Sequence, residues 1–304
     1  MDYTSSLDHI IHDPTGQRMH SDTLAIPTAV SSNDMNMVIW SLMEILKAGG
    51  IAGRAFNPDD PDTYQRLLQA ILKVSTGRLL RTTIYIRDAA GVQKVAVDGG
   101  AFTAVGATVF NPLAGTAFVD VEAVGGGGGG GGARATTAGQ ISVGAGGGGG
   151  AYGRGRYSKA AATGIAVTVG AAGAGGNGAN GAIGGTTSFG PHLSAPGGAG
   201  GQTLGPSAPP LYAVCGQSSA ASGGYINAGG TRGFTHMGVS EVSTFDGEGG
   251  GTYFGGGAAR SASTNGYSIT TPGAGGGGTS NISNMPVRIG GNGAPGLLIV
   301  REYV

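Results

Sequence analysis

Eight consecutive glycines, Gly125–Gly132, constrain this chain more than any other feature. Each glycine loses more backbone entropy on ordering than any other residue and has no side chain to bury. The run is therefore either mobile or held by hydrogen bonds between its backbone and neighbouring segments. Directly before it, residues 117–124 (AFVDVEAV) alternate with the period of two that is typical of a half-buried β-strand. We expect this strand to anchor a sheet beside the glycine run.

Glycine dominates the remainder of the chain, since 56 of the 66 glycines lie from Gly125 onward. They follow no strict Gly-X-Y repeat, which excludes a collagen triple helix. Low-complexity disorder is one alternative, but strand-like apolar segments interrupt the glycines, and residues 297–304 (LLIVREYV) read as a β-strand. Some glycines recur every three residues, as at Gly144, Gly147 and Gly150, which is the polyproline-II period. The sequence leaves open whether the glycine runs form polyglycine-II helices or flexible loops.

The first part of the chain has a different pattern. Residues 1–30 form a polar arm, and residues 31–77 contain two amphipathic helices, the first ending at Gly49-Gly50 and the second starting with Asp60 as N-cap. Their apolar faces are too wide for two helices to cover, so we expect this region to trimerise. The residues predicted to form the trimer interface are Met35, Ile39, Leu42 and Leu46.

The period changes to two in residues 78–107, which predict a β-hairpin neck. Residues 108–304 then form the predicted glycine-rich domain. We expect its last strand, residues 297–304, to pair with residues 117–124 and so close the domain. The fold class that follows is mainly β with a short N-terminal helical region, a β-sandwich-like distal domain with long glycine loops, and an elongated homotrimeric assembly.

Charge and cysteine content narrow the functional classes. The formal net charge is +0, which provides no field for steering nucleic acid or a membrane surface. Cys215 is the only cysteine, so no disulfide forms within the chain. No apolar run reaches the ~18 residues of a membrane span, and the first residues do not resemble a signal peptide, so synthesis in a cytoplasm is expected.

Enzymatic motifs are not found in the sequence, and we expect no catalytic residues, cofactor or metal. The sequence offers three weaker alternatives: glycan hydrolysis by Asp246 and Glu248, nucleic-acid binding by residues 152–157 (YGRGRY), and a metal site in the arm. The arm carries His9, His12 and His20, but their spacing fits no standard zinc pattern.

Two regions of the sequence carry a family resemblance. Residues 32–44 (SNDMNMVIWSLME) with residues 55–58 (AFNP) look like the N-terminal region of tail fibre proteins of tailed bacteriophages. Residues 118–125 (FVDVEAVG), 167–170 (VTVG) and 293–300 (GAPGLLIV) are similar to the glycine-rich domain at their distal end. The resemblance implies a trimeric virion protein whose N-terminal part docks to a baseplate or tail tip and whose distal domain binds a receptor.

The expected function is therefore that of a non-enzymatic adhesin in the tail fibre of the virion, made in the host cytoplasm, that binds a glycan, pilus or outer-membrane protein of the bacterial host. We expect binding in the long excursions at residues 170–210 and 216–265. Aromatic side chains offer flat contact surfaces there; the candidates are Phe189, Tyr225, Phe234, Tyr253 and Phe254. The alternative is a purely structural virion collar or fibre connector without receptor contact.

Overall fold

The structure is a computed structural model that describes residues 10–12, 17–19, 32–54, 59–74, 77–88, 90–106 and 108–304. The chain divides into two compact units, Met1–Arg78 and Leu79–Val304, and each is described by itself. Within the described residues, none of the helices has the length and apolar composition that crossing a lipid bilayer would require.

The described elements are mostly short strands. In chain order they are β1 Ile10–His12, β2 Gln17–Met19, α1 Ser32–Ala48, α2 Pro61–Tyr64, α3 Arg66–Val74, β3 Leu79–Arg87, β4 Gln93–Val97, β5 Thr103–Ala104, β6 Thr108–Phe110, β7 Phe118–Val124, β8 Ile141–Gly144, β9 Tyr152–Ser158, α4 Lys159–Ala162, β10 Ile165–Thr168, β11 Thr187–Phe189, β12 Leu193–Ala195, β13 Thr203–Ser207, β14 Leu211–Ala213, β15 Ile226–Ala228, β16 His236–Ser240, β17 Ser243–Asp246, β18 Ser280–Asn281 and β19 Leu297–Tyr303.

The first unit contains the predicted helices. α1 ends before Gly49-Gly50 as expected, and Asp60 caps α2 by accepting a hydrogen bond from the Asp62 amide. The second helix is interrupted after Tyr64, so that α2 and α3 are separate. α3 approaches the end of α1 closely, because a Cβ on Gly49 would lie 2.8 Å from the Ala70 Cα. Glycine is therefore the residue that permits this helix contact.

A seven-stranded sheet organises the second unit, with the order β15-β9-β7-β19-β3-β4-β5. β19 pairs antiparallel with β7 from Leu297↔Val124 to Tyr303↔Phe118, which confirms the predicted closure of the domain by its last strand. β19 also pairs with β3 on its other side. The predicted hairpin of residues 78–107 is present as β3 and β4, but it is part of this sheet and not a separate neck.

The seven-stranded sheet packs on a four-stranded sheet, β12-β11-β10-β6, to form a sandwich. Val119, Val121 and Ala123 face this core from β7, as their alternation predicts, and Phe189 meets them from β11. Gln93 links the two sheets, because its side chain donates to the Val167 carbonyl and accepts from the Val169 amide. The β-sandwich expected from the sequence is therefore present.

Beyond the sandwich, Gly125–Gly132 is the centre of a bundle held by backbone hydrogen bonds. The backbone amides of Gly125, Gly128 and Gly131 donate to the carbonyls of residues 151, 148 and 145. The amides of Gly126, Gly129 and Gly132 donate to the carbonyls of residues 185, 182 and 179. The amides of Gly127, Gly130 and Ala133 donate to the carbonyls of residues 294, 291 and 288. The partner segment thus repeats every three residues. This is the period of the polyproline-II backbone, so the run is a polyglycine-II helix and not a flexible loop.

Six segments surround this central helix. Three accept from its amides, as above, and three others donate to its carbonyls at the same period: Gly198 and Gly201, Gly173 and Gly176, and Gly276 and Thr279. The packing leaves no space for side chains, because a Cβ on Gly126 or Gly127 would lie 1.9–2.0 Å from a carbonyl oxygen of a neighbouring segment. Glycine is required here for the close approach of backbones.

Several strand predictions in this region differ from the structure. Two of the strand-like segments that interrupt the glycines, residues 266–269 and 286–289, were expected to be strands but run outside any strand, apart from isolated bridges at Arg288 and Ile289. β9 was not predicted as a strand, since its YGRGRYS sequence does not follow the expected apolar alternation. It pairs with β7 along its whole length, and this pairing decides its conformation.

Candidate functional site

The polyglycine-II bundle has two ends with different surroundings. Gly125 follows β7 directly and lies beside the seven-stranded sheet, whereas Gly132 lies at the far end. At about 3.1 Å per residue, these two ends are separated by roughly 22 Å. The chain passes between them repeatedly, so its connections collect at one end or the other.

Six connections form what we call the distal loop surface, at the Gly132 end. These are residues 133–140, 177–180, 208–210, 241–242, 260–265 and 282–287. Each begins and ends in a segment that is hydrogen-bonded within the bundle or in the short sheets β13-β8-β18 and β14-β16-β17. The long excursions predicted from the sequence are thus several passes with short turns, and residues 133–140 and 282–287 were missing from that prediction.

Side chains connect the distal loops to each other. The Arg134 guanidinium donates to the Gly205 carbonyl at 2.7 Å and to the Gly178 carbonyl at 3.3 Å. The buried Asn281 amide donates to the carbonyls of Arg134 at 2.9 Å and Pro286 at 2.6 Å. Three of the six loops, residues 133–140, 177–180 and 282–287, are therefore held together, which preorganises this part of the surface for binding.

An apolar row lies on the outer face of the β14-β16-β17 sheet, beside the distal loops. Tyr212, Met237 and Phe245 are direct cross-strand neighbours. Their side chains are 64%, 47% and 50% exposed, and Val239 continues the row along β16. Contiguous exposed apolar side chains of this kind mark interaction sites. The sequence did not indicate this row, because each residue stands in a short strand whose pairing only the fold reveals.

Comparison with known families agrees with this architecture. The model of a family described as a glycine-rich domain matches residues 103–303, about two thirds of the chain. The chain belongs to this glycine-rich domain family. No protein among those curated for function matches it in sequence.

Within the glycine-rich domain, one of the residues predicted to bind a receptor, Phe189, is buried. Phe189 has 0% exposure and packs in the sandwich core, with its ring 5.7 Å from Phe110 and 5.9 Å from Tyr157. Its alternation in β11 points it inward, so it does not offer a surface to a receptor. The prediction for Phe189 is corrected on this ground.

The other four predicted aromatics are exposed, and Phe234 lines a cleft that does not include the other three. Tyr253 and Phe254 occupy a turn at the Gly125 end, where Tyr253 stacks on Tyr152 at 4.1 Å. Phe254 meets the same ring edge-on at 6.3 Å. Phe234 lines a cleft of about 510 Å³ with Cys215. Phe234 is therefore not part of one site with Tyr253 and Phe254.

Tyr225 belongs to a charged network on the outer face of the seven-stranded sheet. Its hydroxyl lies 3.4 Å from Asp120, whose buried carboxylate accepts two hydrogen bonds from Arg154, at 2.6 and 3.0 Å. Burial, and next the Asp120 charge, raise the pKa of Tyr225. The bond to Asp120 raises the pKa of Arg154 further. Because Arg154 is engaged within the sheet, it is poorly placed for the nucleic-acid role considered for residues 152–157.

The remaining alternatives find little support in the glycine-rich domain. The described residues contain no group of three or more His, Cys, Asp or Glu side chains that could hold a metal ion. The side chains of His9, His12 and His20 lie outside the described part, as does that of Asp246. Glu248 is exposed, and its backbone carbonyl accepts from the Phe234 amide.

Proposed function

We propose that this protein is a non-enzymatic tail fibre adhesin of a tailed bacteriophage, which attaches the virion to a receptor on the bacterial surface. The observation that carries the proposal is the distal loop surface, in which six short loops are fixed at both ends by the polyglycine-II bundle or by the short sheets beside it. Such a scaffold separates stability from recognition. Backbone bonds hold the bundle, so the loops can vary without loss of the fold.

The exposed apolar row of Tyr212, Met237 and Phe245 supports the same proposal. It adjoins the distal loops and offers aromatic and thioether surface, which is enriched where proteins bind partners. The area carries few charges, so contacts would depend weakly on salt. The receptor class that fits is a glycan, a pilus or an outer-membrane protein.

The first unit supplies the attachment part of the proposal. Ile39 and Leu42 of the predicted trimer interface are exposed on α1, Leu46 is half-buried, and the side chain of Met35 lies outside the described part. Exposed apolar residues on a helix favour association with copies of the chain. Three distal domains on one fibre would add avidity to a modest single-site affinity. The N-terminal part would dock to the baseplate or tail tip.

The test is adsorption of fluorescently labelled full-length protein to the strains that the phage infects. Tyr212→Ser and Phe245→Ser should lower adsorption at least tenfold, because they remove apolar contact area while the fold, judged by calorimetry, is kept. Ile183→Ser, which changes an exposed apolar residue elsewhere in the bundle, is the matched control and should adsorb normally.

Two outcomes would contradict the proposal. Failure of the wild-type protein to adsorb to any susceptible strain would favour the structural collar or connector. Normal adsorption by both apolar-row variants, together with normal adsorption after exchange of the distal loops, would place receptor contact outside this surface.

A further inference from the structure

A cleft on the side of the glycine-rich domain contains an arginine whose charge no described residue neutralises. The cleft measures about 480 Å³, within the range of small-molecule sites. It lies between the β3–β4 turn and three segments of the glycine-rich region; its lining includes Arg87, Ala172, Ser268, Thr270, Asn292 and Pro295. It is distinct from the distal loop surface and from the apolar row.

Arg87 and Asp88 are the two charged residues that line this cleft. The Nε of Arg87 is buried, and the described part of the chain provides no hydrogen-bond partner for it. The neighbouring carboxylate, Asp88, is already engaged, since it pairs with the Lys94 ammonium at 3.0 Å and accepts from the Val92 amide at 2.8 Å. A buried guanidinium donor without an acceptor is unfavourable, and a planar anion such as a carboxylate would satisfy it with two parallel bonds.

Ala172 also lines the cleft and carries a backbone amide. One turn later along the same segment, the backbone amide of Gly175 donates to the Asn292 Oδ1 at 2.8 Å. With three residues per turn, the amide of Ala172 faces the same side one turn earlier, and the described residues offer it no acceptor. It is therefore a second donor available to an anion beside Arg87.

Neutral polar groups complete the lining. The Thr270 hydroxyl and the Asn292 Nδ2 have no hydrogen-bond partner among the described residues. The Ser268 Oγ accepts from the backbone amide of Asn292, which leaves the hydroxyl proton of Ser268 free to donate. Pro295 and the methyl groups of the alanines add apolar surface. Donors for hydroxyl groups beside an apolar wall suit a sugar ring.

We propose that this cleft binds an acidic sugar, with the sugar carboxylate on Arg87 and the ring hydroxyls on Thr270 and Asn292. This inference rests on the proposed function, because a bacterial surface polysaccharide is the source of such a sugar for an adhesin. It assigns to the protein a second contact, on the side of the domain, that holds a charged glycan while the distal loops engage their own target.

The test is ligand-observed NMR and calorimetric titration of the full chain with glucuronate, galacturonate and N-acetylneuraminate, with glucose as the neutral comparison. At least one acidic sugar should bind ten times or more tightly than glucose. Arg87→Met should lower that affinity at least tenfold, since a charge-assisted bond is lost. Arg288→Met is the matched control, because Arg288 also has a buried Nε without a described partner but is outside the cleft lining.

A second variant keeps the test valid if Arg87→Met fails to fold. Asn292→Asp retains the oxygen that accepts from Gly175 but replaces the amide with a negative charge, so it should also lower acidic-sugar binding. Equal affinity for glucose and all three acids, or unchanged binding in Arg87→Met and Asn292→Asp, would overturn the proposal. Tighter binding of glucose 6-phosphate than of any carboxylate would replace the acidic sugar with a phosphosugar.

The two proposals can fail separately. A protein that adsorbs to cells but binds no acidic sugar would refute the cleft assignment and leave the adhesin standing. A protein that binds acidic sugars through Arg87 but adsorbs to no susceptible strain would refute the adhesin and leave the cleft standing.

Discussion

Gly128 lies at the middle of the central polyglycine-II helix, and its replacement by alanine tests the packing of the whole bundle. A Cβ at this position would lie 2.1 Å from the Ala199 carbonyl oxygen and 2.6 Å from its carbon. Ordinary contact begins near 3.4 Å, so the two backbones would have to separate by about 1.3 Å. Neither neighbour has a side chain that can rotate away at this contact.

Separating the two backbones would weaken the hydrogen bonds that hold the segment of Ala199 in the bundle. Moving the segment of Ala199 outward stretches three bonds, from Gly148 to Ala199 at 2.8 Å, from Gly198 to Gly126 at 2.9 Å and from Gly201 to Gly129 at 2.9 Å. At about 1 kcal/mol each, their loss destabilises by about 3 kcal/mol. Overpacking adds about 1–3 kcal/mol. We expect Gly128→Ala to lower the free energy of unfolding by about 4–6 kcal/mol.

Differential scanning calorimetry measures this effect, since a domain of this size loses about 2–4 °C of Tm per kcal/mol. Gly128→Ala should therefore unfold about 10–20 °C below the wild type. The control is Gly256→Ala, where an added Cβ meets no atom within 4 Å. That variant should match the wild type or gain up to about 1 kcal/mol, because alanine restricts the unfolded chain. Equal Tm values for the two variants would refute the argument that close backbone packing in the bundle requires glycine at position 128.

Four further predictions concern the sheet, the core and the assembly. Deleting β19 should make the second unit sensitive to dilute protease, because β3 and β7 each lose one of their two pairing strands and the sheet is divided; digestion at the wild-type rate would contradict this. Burial raises the pKa of Tyr85 to about 12, whereas an unfolded tyrosine ionises near pH 10. The protonated form is favoured in the fold, so stability should be complete below about pH 10 and fall towards pH 12, and Tyr85→Phe should show a shallower fall in urea unfolding. Glu302 is fully buried and pairs with Arg81, so Glu302→Gln should lower the free energy of unfolding in urea by about 3 kcal/mol. Adding Arg81→Gln in a double variant should recover part of this loss, whereas additive effects of the two substitutions would exclude energetic coupling between Arg81 and Glu302. Light scattering of the full chain should give about three times the 29.5 kDa chain mass, and Leu42→Asp should dissociate the assembly, whereas a monodisperse monomer would refute trimerisation.

Long-range hydrogen bonding decided the features that the sequence left open. The octaglycine run was compatible with mobility, with loops and with polyglycine II, because glycine itself favours none of them. Gly125–Gly132 is ordered by six segments that lie as far away in the chain as residues 288–294, and no local pattern reveals such partners. The three-residue spacing of glycines such as Gly144 and Gly147 was the one local signal of this arrangement.

Burial was likewise a property of the fold. Phe189 and Tyr253 are similar in sequence context, both being aromatic residues near glycines, yet one lies in the sandwich core and the other is exposed. The apolar row of Tyr212, Met237 and Phe245 arises from the pairing of three short strands, so its members cannot be recognised one at a time. For the same reason the loops of the distal surface could be counted only after the passes of the chain were known.

The sequence by itself determined the local elements with strong periodicity. The two helical segments, the hairpin of β3 and β4, and the alternating strands β7 and β19 were all predicted, since each buries one face and carries that pattern in adjacent residues. The pairing of β7 with β19 followed from the way these two strands bracket the glycine region. Only the tertiary structure decided how that region is ordered. Its stabilising interactions are hydrogen bonds between backbones, and because every glycine has the same backbone groups, the sequence does not indicate which segments pair.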